Sequence, residues 1–241
     1  MTQQRTRPTA IVVQNGPKGG PGRVGEWLAA EGIALDVVHG YQEPVPERLE
    51  HDAVIVLGGG YLPDADDKAP WLAATRTLVR QALDTDTPVL GICLGGQLLA
   101  HVAGGVVEGD VGAPENGSTP VTIRPQASDD PLFGSLPPTV PAIEHHVDAI
   151  TALPPDAIWL AETDRCPYQA FRVGRSAWGT QFHPEIDPDR VRRWDPEPLR
   201  EQGFDPEQVY AGADADDEVA RAIWEKVTRR FATVVHDAAR A

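Results

Sequence analysis

A chain of 241 residues, 41% of them hydrophobic, is long enough to bury a continuous core as one large α/β domain without disulfides or metal. Its 36 acidic residues outnumber 21 basic ones, and a formal charge of −15 argues against nucleic acid or an anionic membrane as partner, because both would repel it. Only two cysteines, Cys93 and Cys166, no apolar stretch of bilayer length and no signal-peptide run point to a reducing, cytoplasmic setting.

Residues 1–8 read as a polar N-terminal tail and residues 9–241 as one domain. Ala10 to Val13 is a first strand, followed by a Gly/Pro loop and a helix over Arg23 to Glu31 that Gly32 stops. The loop from Asn15 to Gly22 lacks the spacing of a phosphate cradle, and its prolines remove amides such a cradle would use. Ile33 to Val38 and Ala53 to Leu57 are the next strands, then come a helix from Pro70 to Leu83 and a strand from Pro88 to Ile92. This β-α alternation predicts a parallel sheet with helices on both faces.

A helix after Cys93 ends at Gly104-Gly105, and the pattern then changes. Val121 to Ile123, Ala157 to Ala161, Gln169 to Val173 and Ala177 to Phe182 read as shorter strands, antiparallel additions around one edge. The expected fold is α/β: a flavodoxin-like, doubly wound, mainly parallel sheet with antiparallel edge additions, in a single domain. Residues 187–212, rich in Pro, Asp and Arg, read as a lid, a docking segment or a solvated connection of short helices. A last helix is expected near Glu218 to Ala239, with the acidic run Asp214 to Glu218 at its start, where carboxylates complement the helix dipole.

The chemistry concentrates at Gly91-Ile92-Cys93-Leu94-Gly95-Gly96-Gln97, where an apolar strand turns into an apolar helix. A tight bend there needs residues without side chains two positions before and after the cysteine, and Gly91 and Gly95 meet that need. Cys93 then stands at a helix N-terminus, where unpaired amides and the helix dipole favour thiolate, and the Leu94 amide can point at an oxyanion. The alternating run Trp178 to Phe182 ends in His183-Pro184-Glu185. Pro184 biases His183 toward extended backbone, so a strand end delivers an imidazole that Glu185 can orient. Cys93, His183 and Glu185 thus supply nucleophile, base and orienter.

These two segments resemble the nucleophile and base signatures of the class I, triad-type glutamine amidotransferases. Within that family the chain is most similar to the glutaminase domain of GMP synthase and its stand-alone relatives, over nearly its whole length. The resemblance implies that Cys93 attacks the side-chain amide of glutamine, that His183 moves the protons of a γ-glutamyl thioester pathway, and that Glu185 orients His183. Gly58-Gly59-Gly60 resembles the family's oxyanion loop, with Gly59 as donor beside Leu94; its other reading is an ordinary turn. Gly60 stands where relatives usually carry proline, which implies a looser loop. By the same matching Gln97 holds the amino-acid end of glutamine, and Gly60, Gly117 and Ser118 line it, with main-chain contacts from Glu115 to Ser118. Many relatives have an aromatic residue where Ser118 stands. His146-Val147-Asp148 resembles a His-Gly-Asp segment at the family's partner-facing surface, with a polar loop as the alternative.

The resemblance implies that the partner is an ammonia-accepting synthetase or other protein chain, and that no cofactor is needed. The scattered histidines, with no obvious further ligands around His145, His146 and Asp148, predict no metal. Two other functions remain open at this level: a γ-glutamyl hydrolase acting on γ-glutamyl amides or peptides, and a non-catalytic regulatory module of the same fold.

Overall fold

The computed structural model describes residues 7–240. Of the tail expected over residues 1–8, residues 1–6 lie outside the described residues, whereas Arg7 is docked, donating to the carbonyls of Ala29, Gly32 and Ile33. The chain then runs through β1 (Thr9–Gln14), α1 (Gly22–Ala30), β2 (Ala34–His39), β3 (Ala53–Val56), α2 (Trp71–Thr85), β4 (Val89–Ile92) and α3 (Leu94–Val102). After these come β5 (Val106–Glu108), β6 (Glu115–Ile123), β7 (Thr139–His146), β8 (Ala149–Ala152), β9 (Ile158–Glu162), β10 (Ala170–Val173) and β11 (Ala177–Thr180). Three helices close it: α4 (Pro188–Val191), α5 (Pro196–Glu201) and α6 (Pro206–Ala238).

Nine strands form one sheet in the order β2-β1-β3-β4-β11-β10-β9-β6-β7, and β5 pairs with β8 apart from it. The first five are mutually parallel and the last four antiparallel extensions. The parallel strands are apolar on both faces, because helices cover both. Val12, Ile55 and Ile92 share a core with Val24 and Leu28 of α1 and Trp224 and Phe231 of α6. Val13, Val54, Val56 and Val89 pack against Leu72, Leu78 and Val79 of α2 and Leu98 of α3. Among the described residues, no helix is long and apolar enough to cross a membrane.

Three expectations need correction. The strand leading to His183 is not an outer addition: β11 lies parallel to β4 as the fifth parallel strand, at the centre of the sheet. The strand expected over Val121 to Ile123 is the end of a longer one, β6, which begins at Glu115, and the stretch Thr139–His146, to which the sequence pattern assigns no strand, is β7. Their prolines face each other across the pair, and an antiparallel pair can place such residues where neither donates to the other. The last helix starts at Pro206, so Asp214 to Glu218 lie inside it. There the acids are partnered rather than stacked on the dipole: Asp214 with Arg192, Asp216 with Ser118 and Asp217 with Arg23.

Residues 187–212 are α4, α5 and the first turns of α6, each launched by an Asp-Pro pair. Asp187, Asp195 and Asp205 accept from the backbone amides of Arg190, Glu197 and Glu207, while the proline takes a first-turn position that needs no donor. Ile186, Val191, Leu199 and Val209 bury this segment against Ile143 of β7.

Candidate active site

At the turn from β4 into α3, Cys93 adopts φ 51° and ψ −111°, a strained geometry for a residue with a side chain. The neighbouring glycines make room for it. A Cβ on Gly91 would lie 2.3 Å from the Gly95 carbonyl oxygen, and one on Gly95 would lie 2.0 Å from that of Val56. Gly96 is pressed equally against β11, its missing Cβ 2.5 Å from the Thr180 oxygen. The elbow therefore sits directly on the sheet, with Cys93 only 6% exposed.

Because β4 and β11 are adjacent and parallel, their carboxyl ends lie side by side. Ile92 is in register with Thr180, and the Cys93 amide donates to the Thr180 oxygen at 2.8 Å. The residues just beyond β11 are thus forced next to the sulfur. His183 is held by its own amide, which donates to the Ile143 oxygen at 2.8 Å. Its Nδ1 lies 2.8 Å from Glu185 Oε1, both side chains being buried. The other ring nitrogen, Nε2, is buried without a hydrogen-bond partner, and the ring lies within electrostatic reach of Cys93.

Burial alone would disfavour a charged imidazole, but the Glu185 carboxylate and the Cys93 thiolate outweigh it and hold His183 well above the usual histidine range. Burial pushes Glu185 up, and His183, with help from Arg190, more than reverses this. Beside the Cys93 sulfur the site favours an imidazolium backed by a carboxylate.

Gly58 closes over this pair: a Cβ there would stand 2.8 Å from His183 Cε1 and 3.5 Å from Cys93 Cβ. Gly59 packs on the elbow, its missing Cβ 2.8 Å from Leu94 Cδ2 and 2.9 Å from Asn15 Cβ. Asn15 braces the loop, donating to the Leu57 oxygen at 2.7 Å and accepting from Trp71 Nε1 at 2.9 Å. Gly60 is exposed with open space around it. Gly60→Ala is therefore expected to leave turnover within about twofold and to change stability by less than about 1 kcal/mol, measured by thermal unfolding and ammonia release.

Gln97 is buried beside the elbow, its Nε2 donating at 3.1 Å both to the Asp148 carbonyl oxygen and to Gln181 Oε1. Gly117 and Ser118 turn toward α6. Gly117, at φ 86°, lies under Val209, and Ser118 Oγ donates to Asp216 at 2.6 Å. His146 does not face outward: its side chain is 5% exposed, with Nε2 3.2 Å from Glu115 and 3.3 Å from Glu144, and Nδ1 3.2 Å from the Asp148 oxygen. Asp148 is half-buried, and its carboxylate accepts from the Asp110 amide at 2.9 Å.

Burial would lower the His146 pKa, yet Glu115 and Glu144 raise it to about 10. Burial lifts fully buried Glu144 to about 7, against the pull of His146. Burial also pushes the Cys166 thiol up, so it stays protonated. Glu115, His146 and Cys166 bring oxygen, nitrogen and sulfur within 4.8 Å of one another, a separate group from Cys93, His183 and Glu185. With its imidazole protonated, His146 donates from both nitrogens and ties Glu115, Glu144 and the Asp148 carbonyl into an ion cluster.

Sequence reasoning missed four contributors. Gln181 lies two residues before His183, and strand periodicity puts both on one face, a usable signal. Gly58, rather than Gly59 alone, shapes the loop over the sulfur. Arg190 of α4 reaches back to the Gly20 oxygen at 2.9 Å and lies 4.0 Å from Glu185. At Gly22, with φ 46°, a Cβ would meet the Glu185 carbonyl oxygen at 2.2 Å. Contacts between distant segments left no mark in the local pattern.

Known proteins give the same picture. One subunit of the glutamine-hydrolysing GMP synthase of Haloarcula marismortui is 34% identical over 164 residues, 67% of this chain and 78% of that protein. Its counterpart in Halobacterium salinarum is 32% identical over 158 residues, 65% of this chain and 77% of that protein. A glutamine amidotransferase of Methylobacillus flagellatus superposes with TM-score 0.81 at 27% identity, covering 93% of this chain and 94% of its own. One from Thermotoga maritima, at 23% identity and TM-score 0.84, shares the fold over 94% of this chain and 99% of its own. The model of the class-I glutamine amidotransferases matches residues 23–204, a span that runs from α1 past the elbow and the His-Pro-Glu turn. A match over more than half the chain decides membership: the protein belongs to the class-I glutamine amidotransferase family.

Proposed function

We propose that the protein hydrolyses glutamine to glutamate and ammonia through a γ-glutamyl thioester on Cys93, and passes the ammonia to an acceptor on a separate synthetase chain. The observation that carries this reading is the 2.8 Å contact of His183 Nδ1 with Glu185, set beside an elbow cysteine. The Cys93 thiolate attacks the γ-carbonyl carbon. As the carbon-nitrogen bond breaks, imidazolium His183 gives its proton to the departing ammonia. Neutral His183 then takes a proton from water, whose oxygen attacks the thioester and returns the thiolate. Glu185 keeps the ring oriented and stabilises its charged form, while the amides of Leu94 and Gly59 face the oxyanion.

Both Gln97 amide hydrogens are engaged, which leaves its oxygen to accept from the α-ammonium of the substrate. Gly117 and Ser118 enter this reading through main-chain atoms only, since Ser118 Oγ is bound to Asp216. The partner is inferred from the archaeal relatives, which are themselves named as single subunits of a GMP synthase, and the half-buried turn at Asp148 is the face we assign to it. The two free cysteines suit a reducing, cytoplasmic location.

The test is ammonia release from glutamine by the purified protein, compared with hydrolysis of γ-glutamyl amides and peptides. Glutamine is expected to be the faster substrate and a copurifying synthetase chain to stimulate it. A preference for the conjugates would overturn the reading in favour of a γ-glutamyl hydrolase.

A further inference from the structure

The amide of Gln181 is 1% exposed and lies where the triad does not use it. Its Nε2 is 3.5 Å from Cys93 Sγ, and its Oε1 accepts from Gln97 Nε2 at 3.1 Å. The second hydrogen on Gln97 Nε2 goes to the Asp148 carbonyl oxygen at 3.1 Å, which also accepts from His146 Nδ1 at 3.2 Å. A carbonyl can only accept, so Gln97 must present its NH2 group on this side. Gln181 must then turn its oxygen to Gln97 and its N–H to the sulfur, because the reverse would set two donors against each other. The orientation of the Gln181 amide is thus dictated by a chain of contacts that ends on main-chain oxygen.

We propose that Gln181 is a fourth catalytic residue, donating a hydrogen bond to the Cys93 sulfur that stabilises it as a thiolate, with Gln97 as the positioning residue that fixes the donor's direction. The proposal rests on Cys93 being the nucleophile. A neutral amide suits this place. It stabilises negative charge on sulfur in the free enzyme and again when the thioester collapses, without adding a second cation beside His183. The bend just past β11 makes the arrangement possible, since Phe182 turns into the core while Gln181 and His183 both lie by Cys93.

The experiment is the pH dependence of Cys93 alkylation by iodoacetamide in the full chain, followed on the Cys93 peptide by mass spectrometry, with kcat and KM for glutamine. Gln181→Met keeps the length and removes the donor; Gln181→Glu puts a carboxylate beside the sulfur. His183, Glu185, His146, Glu144 and Glu115, the charged groups around Cys93, stay in place in both variants. Gln181→Met is expected to raise the apparent pKa of Cys93 by about one unit and to lower kcat about tenfold, with KM within about twofold. Gln181→Glu is expected to shift the alkylation profile further in the same direction. An alkylation profile identical to wild type in either folded variant overturns the proposal and leaves Gln181 a packing residue. Alkylation reads the sulfur without glutamine, so a protein that ignored glutamine would fail the proposed function while still testing Gln181.

Discussion

Cys93→Ala is expected to abolish ammonia release from glutamine, by a factor on the order of 10⁴ or more, because no sulfur is left to attack the γ-carbonyl carbon and carry the thioester. Glutamine binding should survive, since the alanine methyl fits the same elbow and the Gln97 contacts are untouched; calorimetry on the variant checks this. Turnover persisting in Cys93→Ala would remove the thioester pathway. Glu185→Gln should retain the nucleophile and lose most of the rate. Burial then acts on His183 with less opposition, and the imidazolium that must protonate ammonia becomes scarce.

The same pair gives a pH window for stability. His183 is raised from its ordinary 6.5, so its contribution is complete below that pH and is lost as pH rises through the raised value. Glu185 is depressed from its ordinary 4.5, so its contribution is complete above that pH and is lost as pH falls through the depressed value. The difference in thermal midpoint between wild type and Glu185→Gln should therefore be largest between about pH 4.5 and 6.5.

Gly95→Ala should be the most destabilising small substitution in the site. Its new methyl would stand 2.0 Å from the Val56 oxygen and 2.6 Å from the carbonyl carbon, both backbone atoms of a central strand that cannot swing away. Either β3 or α3 must move. Overpacking of this kind costs about 3 kcal/mol, which for a chain of this size lowers the thermal midpoint by roughly 10 °C, readable by calorimetry. Activity should fall with it, because displacing α3 carries Cys93 away from His183. A wild-type midpoint would mean that the elbow is not seated on the sheet as described. Open space around Gly60 makes it the internal control.

Much of the site was legible because its chemistry is written locally. Strand, glycine, cysteine and helix follow one another between Val89 and Val102, and His183-Pro184-Glu185 carries its own orienter two residues away. The parallel strands were legible for the same reason, as apolar runs between turn residues. Of β6 only Val121 to Ile123 was legible, and β7 was not, because Pro120 and Pro141 look like breakers until each is seen opposite the other. The start of α6 was missed because the acidic residues 214–218 read as a beginning, although Asp205-Pro206 carries the stronger signal. His146 looked like a surface histidine. Its place between Glu115 and Glu144 depends on two strands whose pairing no local pattern announced.

By itself the sequence determined the alternating α/β half, the elbow at Cys93 and the His183-Glu185 pair, because each follows from dihedral limits, side-chain size and spacing over a few residues. Only the tertiary structure decided that β11 fills the place beside β4, and everything that depends on this neighbour: His183 at the sulfur, Gln181 between Gln97 and Cys93, Gly58 over both. The physical reason is that strand pairing is set by how whole faces bury their apolar area. A residue's neighbours across the sheet are chosen by that global packing and leave no trace in its own stretch of chain.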